Sequence, residues 1–575
     1  MAGGRDSPAG DSLGMDRPWL AHYPPNVDWH QEFEPRPVYA ALDSAAAQWP
    51  DNVHLDFFGR EFSYRQTLDM VARAAKGFQK LGVGPGVKVG LFLPNCPQQV
   101  ISYFAVLKTG GIVVNYSPLY SESELLNQIE DSHTDIIVTL DLALLYPKAR
   151  DMIDKSRVRT LVVSRLSDTM PLLKGTAFRL FKRAAIAARV WDERQVTWET
   201  LLDNDGRFEP AHIEPLADVA VLQYTGGTTG IPKGAMLTHA NVYINGCQNR
   251  AWFPDFMPGR ETTIGALPFF HAFAMTTILV MGTMTGCRIV LHPKFELDAV
   301  IDDVIAKKPS SLPGVPTMFT ALANHPKVNR QSFASVRWAM SGGAPLPIQV
   351  RHHFEGATGV KILEGYGLTE CSPTATCGPE VGVNKEGSIG LPLPRTDIVI
   401  VDRDDPHKVL PIGETGEICI AGPQVMKGYW NNPDATSAAI IDGRLRSGDV
   451  GYMDADGYTF IIDRMKDLIL VGGFNVFPRF VEEAIHKHPA VKEVTVIGIP
   501  DDYLGEVPKA FVVPKDGDEK LDAAKLTEFL RDQIGKHEMP REIEFRKELP
   551  KTAVGKLSKK ELVAEEAAKR VQASA

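Results

Sequence analysis

A segment rich in glycine and threonine, Tyr224–Gly234 (YTGGTTGIPKG), restricts the possible folds more strongly than any other part of the chain. Its glycines expose backbone N–H groups that a side chain would block, its threonines add hydroxyl donors, and Lys233 adds a mobile cation. Such a loop is suited to wrap a polyphosphate. It is not a Walker A loop, because Ile231 and Pro232 separate the last loop glycine from the lysine. A flexible surface loop is the alternative, but the apolar run Val219–Tyr224 predicts a buried strand leading into the loop.

This segment resembles the phosphate-binding signature of the adenylate-forming enzymes, which include acyl-CoA synthetases, luciferases and peptide-synthetase adenylation domains. Its continuation Ala235–His239 (AMLTH) is most similar to the bacterial long-chain fatty-acid–CoA ligases. The resemblance runs from about Arg17 to about Glu561. It implies an α/β fold, with a large N-terminal domain of parallel-sheet subdomains plus a small β unit. A hinge would join this domain to a small, mobile α/β C-terminal domain.

Hydrophobic periodicity independently predicts strands alternating with helices, the pattern of parallel α/β sheets. Helix patterns occupy Tyr64–Leu81, Ser102–Leu107, Phe480–His486 and the stretch from Leu526 to Ile534. Strand patterns occupy Lys88–Leu93, Ile136–Leu140, Thr160–Val163, Tyr458–Ile462, Leu468–Val471, Val494–Ile499 and Lys509–Val513. Asp397–Val401 and Glu417–Ala421 alternate and suggest a smaller β unit. We therefore expect a disordered N-terminus at 1–16, a large domain at 17–463, a hinge at 464–468 and a small domain at 469–575.

Composition narrows the functional classes. The net charge of -9 argues against nucleic acid as the main partner. The six cysteines show no C-x-x-C pair or zinc spacing, which indicates reduced thiols and a cytoplasmic protein. No signal peptide opens the chain, and no apolar run reaches transmembrane length; the longest, Thr276–Gly286, is short and interrupted by Gly282.

The segment from Ser167 to Val190 is unusual because basic and apolar residues interleave without an acid between Asp168 and Asp192. A basic amphipathic helix can lie on an anionic membrane surface, whereas an ordinary solvated helix packed on its own domain would look the same. Its position resembles an insertion typical of fatty-acyl ligases. This favours peripheral contact of residues 167–190 with the inner membrane surface. The resemblance also leaves a homodimer open.

The resemblance assigns site residues by their match to the family's motifs. Lys556, Glu370, His271 and Thr225 are the expected catalytic residues, and Thr225 and Glu370 the expected Mg²⁺ ligands. The residues expected to bind ATP or coenzyme A are Thr225, Gly226, Gly227, Thr228, Thr229, Gly230, Lys233, Gly343, Ala344, Pro345, Glu364, Gly365, Tyr366, Gly367, Thr369, Asp449, Ile461, Arg464, Lys466, Gly472, Gly473 and Lys556.

Two other segments are expected to surround the acyl group. His271, within LPFFHAFA, would border the carboxylate pocket, although a buried core histidine would give the same pattern. The small and apolar run Met275–Met284 is suited to line a tunnel for an aliphatic chain, but periodicity does not separate that role from plain core.

The C-terminal segment carries one departure from the family. Phe480 occupies a position where the family usually has glutamate, while Glu482 keeps the second acid. Lys559 preserves the charge of the family's arginine. These assignments predict an ATP-dependent, AMP-forming ligase that activates medium- to long-chain fatty acids with Mg²⁺ and coenzyme A. The alternatives are a fatty-acyl–AMP ligase that loads a carrier protein, an aryl-acid CoA ligase, and a relative without activity.

Overall fold

The computed structural model describes residues 16–225, 232–501, 503–515, 521–552 and 555–574. The predicted disorder of the N-terminus and the predicted phosphate contacts of Gly226, Gly227, Thr228, Thr229 and Gly230 lie outside these ranges. Within them, the strands form four sheets of nine, eight, five and five strands. The α/β class predicted from the sequence is confirmed.

The first sheet has a parallel centre with antiparallel edges. From one edge to the other its strands are Leu391–Pro392, Thr374–Cys377, Lys361–Gly367, Trp338–Gly342, Ser311–Gly314, Thr262–Gly265, Arg288–Leu291, Val53–Phe57 and Arg60–Ser63. Several of its parallel strands end in glycine, and the carboxyl ends of parallel strands are where open α/β sheets bind ligands.

The second sheet is also parallel through most of its width. Its strands, in order, are Gly428–Tyr429, Gly234–Thr238, Val219–Tyr224, Ile112–Asn115, Lys88–Phe92, Thr134–Leu140, Thr160–Ser164 and Gln195–Thr197. Val219–Tyr224 is buried and pairs antiparallel with Gly234–Thr238, so these two strands flank the glycine-threonine segment. The predicted strand before that segment is confirmed.

Helices connect and cover these two sheets. They span Ala40–Gln48, Tyr64–Lys80, Pro97–Lys108, Glu122–Ser132, Tyr146–Lys155, Leu172–Phe181, Trp198–Leu202, His239–Trp252, Ala272–Ala274, Met281–Met284, Leu297–Lys307, Pro316–Ala323, Ile348–Thr358 and Pro433–Ala439, with a π-helix at Met275–Val280. Tyr64–Lys80 begins at a capping box between Ser63 and Gln66 and ends before Gly82, as its pattern predicts. Pro97–Lys108 is buried along its whole length, and its sequence is accordingly mostly apolar, with Gln98, Gln99, Ser102 and Lys108 as buried polar exceptions.

The predicted smaller β unit is the third sheet, made of Asp397–Val401, Gly416–Ala421, Ile440–Ile441, Arg444–Met453 and Thr459–Arg464. Its first strand is buried at all five positions, so the alternation expected for this strand is wrong, in keeping with its four consecutive apolar residues after Asp397. Arg17 forms an ion pair with Asp397, with Arg17 Nε 2.7 Å from Asp397 Oδ1, which ties the start of the described chain to this sheet.

The C-terminal residues build a separate hydrophobic core between Ile469 and Leu562. Its sheet contains Phe474–Val476, Ile469–Val471, Gly505–Pro514, Val491–Asp501 and Glu542–Phe545, and its helices are Pro478–His486, Ala523–Leu530 and Lys559–Ser574. The prediction that one helix runs on to Ile534 is wrong, because the helix ends at Leu530 and Ile534 reaches the same core from a turn.

All six cysteines carry free thiols. Cys96, Cys287, Cys371, Cys377 and Cys419 are buried, and Cys247 is half-buried. Burial raises the pKa of these thiols, to about 12 for Cys96 and Cys247, so they stay protonated at neutral pH. No helix in the described part of the chain is long and apolar enough to cross a membrane.

The terminal helix Lys559–Ser574 is fixed to the C-terminal sheet by a cluster of charges around Lys509. The Nζ of Lys509 lies 2.9 Å from carboxylate oxygens of Glu542 and Glu566 and 3.1 Å from Glu544, and its side chain is only 6% exposed. Burial alone would lower the pKa of Lys509, but the three glutamates raise it above its ordinary value. Glu566 belongs to the helix, so this lysine joins helix and sheet.

Replacing this lysine should loosen the terminal helix. Lys509→Met leaves three carboxylates facing one another, and we expect the free energy of unfolding of the C-terminal unit to fall by about 2 kcal/mol, because the glutamates stay partly hydrated. Denaturant unfolding and amide hydrogen exchange of residues 559–574 measure the effect. Lys408→Met is the matched control, since its pair with Asp402 is exposed. Unchanged exchange in the terminal helix would contradict this role of Lys509.

Candidate active site

The candidate site lies where strands of the first two sheets end. In the first sheet, the segments that follow Thr262–Gly265, Ser311–Gly314, Trp338–Gly342 and Lys361–Gly367 contain His271, Val315, Gly343 and Glu370 in turn. In the second sheet, Val219–Tyr224 ends at Thr225, whose N–H donates to the Lys233 carbonyl at 3.0 Å. Parallel topology therefore gathers residues that are far apart in the sequence.

One group of contacts joins the end of the glycine-threonine segment to the expected metal ligand. Lys233 Nζ lies 5.1 Å from the ring centroid of Tyr429, and the Tyr429 hydroxyl donates to Glu370 Oε1 at 2.7 Å. Burial and the Glu370 carboxylate raise the pKa of Tyr429, so its hydroxyl keeps the proton that it donates. Tyr429 thus contacts a cation, Lys233, through its ring and a carboxylate, Glu370, through its hydroxyl.

A second group of contacts surrounds Asp449, which is 3% exposed. The Tyr366 hydroxyl donates to Asp449 Oδ2 at 2.7 Å, and Arg464 Nε lies 3.0 Å from Asp449 Oδ1. The Asp449 N–H donates to the Ser447 hydroxyl at 3.0 Å, which fixes the strand at this point. Each carboxylate oxygen keeps a lone pair, so the pair of oxygens can accept two further hydroxyl donors such as those of a ribose.

Lys556 reaches this part of the molecule from the C-terminal unit. Its side chain lines a small cavity together with Leu267, Pro268, His271, Phe273, Ala274, Val315 and Gly343. Gly343 has φ +80°, and a Cβ added there would lie 3.0 Å from Lys556 Cε. Any other residue at position 343 would therefore be strained and would press on the lysine.

The electrostatics of this cavity favour a neutral histidine beside a lysine. Burial lowers the pKa of His271 to about 3, and the neighbouring Lys556 adds to the effect. The His271 Nδ1 accepts a hydrogen bond from the Phe273 N–H at 3.3 Å, which leaves Nε2 as the protonated nitrogen of the neutral ring. His271 can therefore donate a hydrogen bond to a carboxylate without carrying charge.

Burial lowers the pKa of Lys556 to about 8; Arg464 lowers it further, and Asp449 opposes the shift. The charges of Arg464 and Asp449 therefore act on Lys556, which lines the His271 cavity. An incoming anion would restore the charge of Lys556 and be stabilised by it. This arrangement suits a reaction between two anions.

The residues around Glu370 fit a Mg²⁺ ion held together with a polyphosphate. Within the described ranges no cluster of three or more His, Cys, Asp or Glu side chains could hold a metal alone. Mg²⁺ prefers one or two carboxylates with phosphate oxygens and water completing its octahedron. Glu370 supplies one carboxylate, and the Tyr429 hydroxyl occupies only one of its oxygens.

The remaining predicted residues lie on five segments. Ala344 and Pro345 follow Gly343; Gly365 and Gly367 belong to the strand that contains Tyr366; Thr369 begins a short turn with Glu370; and Ile461 and Lys466 lie in or just after the strand that ends at Arg464. Glu364 Oε1 accepts the Leu346 N–H at 3.2 Å, and burial raises the pKa of Glu364 to about 7. Gly472 and Gly473 form an exposed hairpin turn in the C-terminal sheet.

The run Met275–Met284 is buried at nearly every position and includes the π-helix. π-helical turns are rare and occur frequently at functional sites. Met275 Sδ lies 3.4 Å from the Asn115 side-chain nitrogen, and Asn115 bonds to Gln223 at 3.0 Å, so a polar pair underlies the apolar run. A tunnel for an acyl chain through these residues stays a prediction.

Two contacts at the candidate site have little support in the sequence. The first is Tyr429, separated from Glu370 by 59 positions; its signal is the aromatic pair Tyr429-Trp430 after a glycine. The second is Thr317, whose hydroxyl donates to the Gly555 carbonyl at 3.1 Å. Neither lies in a motif whose spacing indicates a partner.

Comparison with protein families gives two matches. Residues 42–430 match the family described as AMP-binding enzyme, and residues 481–556 match the AMP-binding enzyme C-terminal domain.

Curated relatives match nearly the whole chain. A long-chain-fatty-acid–CoA ligase of Bacillus subtilis is 40% identical over 557 residues, covering 96% of this chain and 99% of the relative. One from Salmonella typhimurium is 37% identical, covering 95% and 98%. A feruloyl-CoA synthase from Amycolatopsis is 33% identical, covering 88% and 94%.

Solved structures resemble both the fold and the arrangement of the chain. ATP-bound MatB of Rhodopseudomonas palustris is 27% identical with a TM-score of 0.80, covering 91% of this chain and 98% of that one. Apo MatB from the same organism is 28% identical with a TM-score of 0.71, covering 92% and 99%. By TM-score the whole chain is therefore structurally more similar to ATP-bound MatB than to apo MatB.

Proposed function

The chain belongs to the family of AMP-binding enzymes, and on that premise we propose that it is an ATP-dependent, AMP-forming fatty-acid–CoA ligase. It would convert medium- to long-chain fatty acids through an acyl-AMP intermediate to acyl-CoA. The observation that carries the proposal is the position of Lys556, which lines one cavity with the neutral His271 and Gly343, where the charges of Arg464 and Asp449 also act on it. The choice of fatty acids rests on relatives named long-chain-fatty-acid–CoA ligases.

In the first step the fatty-acid carboxylate attacks the α-phosphorus of ATP, and pyrophosphate leaves. Two anions must approach each other, so the contribution of the protein is mainly positioning and electrostatics. Lys556 would lie between the carboxylate and the α-phosphate, with His271 donating to the carboxylate. Asp449 would accept the ribose hydroxyls, and Lys233 would hold the departing pyrophosphate.

We propose Glu370 and Thr225 as the protein ligands of Mg²⁺. The ion supplies neutralisation of phosphate charge when it is bound. The Tyr429 hydroxyl fixes the orientation of the Glu370 carboxylate, and Tyr429 also contacts Lys233. Tyr429 thereby keeps the carboxylate and the lysine in a constant relation while the phosphates change.

In the second step the CoA thiol attacks the carbonyl of acyl-AMP, and AMP leaves. Lys556 would then obstruct the thiol, so we propose that the unit from residue 469 onward rotates about residues 464–468. This rotation would withdraw Lys556 and bring Gly472 and Gly473 to the pantetheine arm of CoA. Two features support the hinge: the hydrophobic cores divide there, and Met465–Asp467 is a short 3₁₀ turn between two sheets.

Two other acceptor or substrate classes have specific observations in their favour. Phe480, in place of the usual glutamate, is 47% exposed on the C-terminal unit, which suits a carrier protein as acyl acceptor. The similarity to a feruloyl-CoA synthase suits an aryl acid as substrate. Both retain acid activation by ATP and differ from the main proposal only in the second substrate or in the acid.

We also propose peripheral contact with an anionic membrane through helix Leu172–Phe181 and the residues after it. Leu172, Leu173 and Phe181 are 81%, 85% and 83% exposed, which is unusual for large apolar side chains. Lys182 and Arg183 follow immediately and are exposed as well. Apolar side chains next to cations are the pattern of an interfacial helix.

A product assay tests the proposed function. Purified protein receives MgATP, CoA and fatty acids from short to very long, together with benzoate and coumarate, and products are measured by mass spectrometry. We expect AMP to appear in step with acyl-CoA of medium to long chains. Acyl-AMP accumulating while CoA stays unused would favour a carrier protein and direct attention to Phe480. Coumaroyl-CoA as the main product would overturn the aliphatic assignment.

The pH dependence of the first step should report the lowered pKa of Lys556. The first step needs the protonated Lys556 amine. This charge is lost as pH rises through about 8 rather than near the ordinary lysine pKa of 10.5. We therefore expect kcat/KM for ATP in fatty-acid-dependent pyrophosphate exchange to fall above pH 8. Lys556→Arg keeps a permanent charge and should lose this alkaline limb. A limb near pH 10 in the unmodified protein would contradict the prediction.

The two half-reactions provide the control for Lys556. Lys556→Ala should lower pyrophosphate exchange by about 100-fold or more, as expected for loss of a charge that stabilises the transition state. Conversion of supplied acyl-AMP and CoA to acyl-CoA should stay within about twofold. An equal loss in both half-reactions would reject the separation of roles.

Flotation with lipid vesicles tests the membrane proposal. We expect binding to vesicles containing phosphatidylglycerol at low salt, and weaker binding to phosphatidylcholine alone or at high salt, because the attraction is partly electrostatic. The combined change Leu172→Ser, Leu173→Ser and Phe181→Ser should abolish flotation. Leu216→Ser is the matched control, since Leu216 is 71% exposed elsewhere. Equal flotation of the triple variant would exclude this helix as the contact.

A further inference from the structure

The loop that carries Lys556 is a tight hairpin of the C-terminal unit. Lys551 and Leu557 form an antiparallel bridge, and the Thr552 N–H donates to the Lys556 carbonyl at 2.7 Å. The Gly555 N–H donates to the Thr552 carbonyl at 2.9 Å, and the Lys556 N–H donates to the Thr552 hydroxyl at 3.2 Å. Lys551 Nζ also lies 2.6 Å from Glu493 Oε1. The base of the hairpin is therefore fixed within its own unit.

Gly555, in the described part of this hairpin, makes a directed contact with the large domain. Thr317, in helix Pro316–Ala323, donates its hydroxyl to the Gly555 carbonyl at 3.1 Å. Gly555 has φ +82°, a conformation that favours glycine, and a Cβ there would lie 3.2 Å from Thr317 Oγ1. Thr317 thus receives the backbone immediately before Lys556.

The other threonine of this helix, Thr320, makes a different hydrogen bond, so the contact of Thr317 is not shared by every threonine in the helix. Thr320 donates its hydroxyl to the Pro316 carbonyl at 3.1 Å, the local bond that helical threonines commonly make. The Thr317 hydroxyl bonds instead to a residue 238 positions away. It lies where two separately folded units meet, so any rotation of the C-terminal unit must break it.

We propose that Thr317 is a positioning residue for the first half-reaction, holding the Gly555 carbonyl so that Lys556 lies in the cavity beside His271 and Gly343. This inference rests on the proposed two-step function. The bond forms in the present arrangement and is released when the C-terminal unit turns for the second step. Thr317 acts only through the backbone of Gly555, so its loss should slow acyl-AMP formation and leave thioester formation unaffected.

The test compares Thr317→Val, which keeps the shape without the donor, with Thr317→Ser, which keeps the donor. A neutral hydrogen bond has a net worth of up to about tenfold, so kcat for pyrophosphate exchange should fall about three- to tenfold in Thr317→Val. KM for ATP and fatty acid should change little, and conversion of supplied acyl-AMP should stay within about twofold. Thr317→Ser should recover most of the exchange rate, and Thr320→Val should behave like the unmodified protein.

A second measurement does not need activity. Pulse acetylation with acetic anhydride above the ordinary pKa of lysine, where the Lys556 amine is uncharged both inside and outside the cavity, reports by mass spectrometry how often Lys556 leaves its cavity in the protein without substrates. We expect Lys556 to be modified several-fold faster in Thr317→Val than in the unmodified protein or in Thr320→Val. Thermal unfolding shows whether each variant is folded.

The outcomes separate this inference from the proposed function. If the unmodified protein shows no exchange with any acid, the proposed function fails, while the acetylation rates still decide whether Thr317 holds the hairpin. Equal losses in both half-reactions, or full exchange activity in Thr317→Val together with unchanged acetylation of Lys556, would overturn the role of Thr317.

Discussion

The insertion of one lysine from the C-terminal unit into a cavity of the large domain is the interaction on which the proposed chemistry depends. Lys556 has room because position 343 is glycine, and it meets a neutral partner because desolvation lowers the pKa of His271. The unit that delivers it must itself be rigid, which explains the charges that fix its terminal helix around Lys509. A permanent contact of Lys556 with this cavity would serve acyl-AMP formation but obstruct thioester formation. The interface between the C-terminal unit and the large domain must therefore also be reversible.

Buried carboxyl groups at this interface are suited to such a balance. Burial raises the pKa of Asp463 to about 6, although Lys559 and the N–H groups of Arg479 and Arg464 oppose the shift. Burial also raises the pKa of Glu364 to about 7, with Arg479 opposing it. Arg479 and Lys559 both belong to the C-terminal unit, so the cost of burying two acids is offset by cations that arrive with that unit. Both pKa values stay raised, so desolvation outweighs this attraction, and the two acids favour an interface that can open.

Strand and helix periodicity was sufficient for most elements, because it is strong in a largely buried α/β fold, whereas the family was assigned from the resemblance of the glycine-threonine segment and its continuation. Periodicity wrongly predicted that the helix continues to Ile534. The helix ends at Leu530, and Ile534 enters the same hydrophobic core from a turn. Resemblance to the family's motifs indicated Glu370, Asp449 and Lys556 but not the Tyr429 hydroxyl on Glu370 or the Thr317 hydroxyl on Gly555. These contacts depend on the order of strands in the sheets and on the placement of the C-terminal unit, which no local window contains.

The unreactive character of the cysteines has a practical consequence for observing the hinge. Five of the six thiols are buried, and burial raises the pKa even of the half-buried Cys247 to about 12. Maleimide dyes react with exposed thiolates, so a pair of cysteines introduced on the surfaces of the two units would be labelled against a low background. The natural chain is thereby a suitable starting point for single-molecule fluorescence transfer, without prior removal of its own thiols.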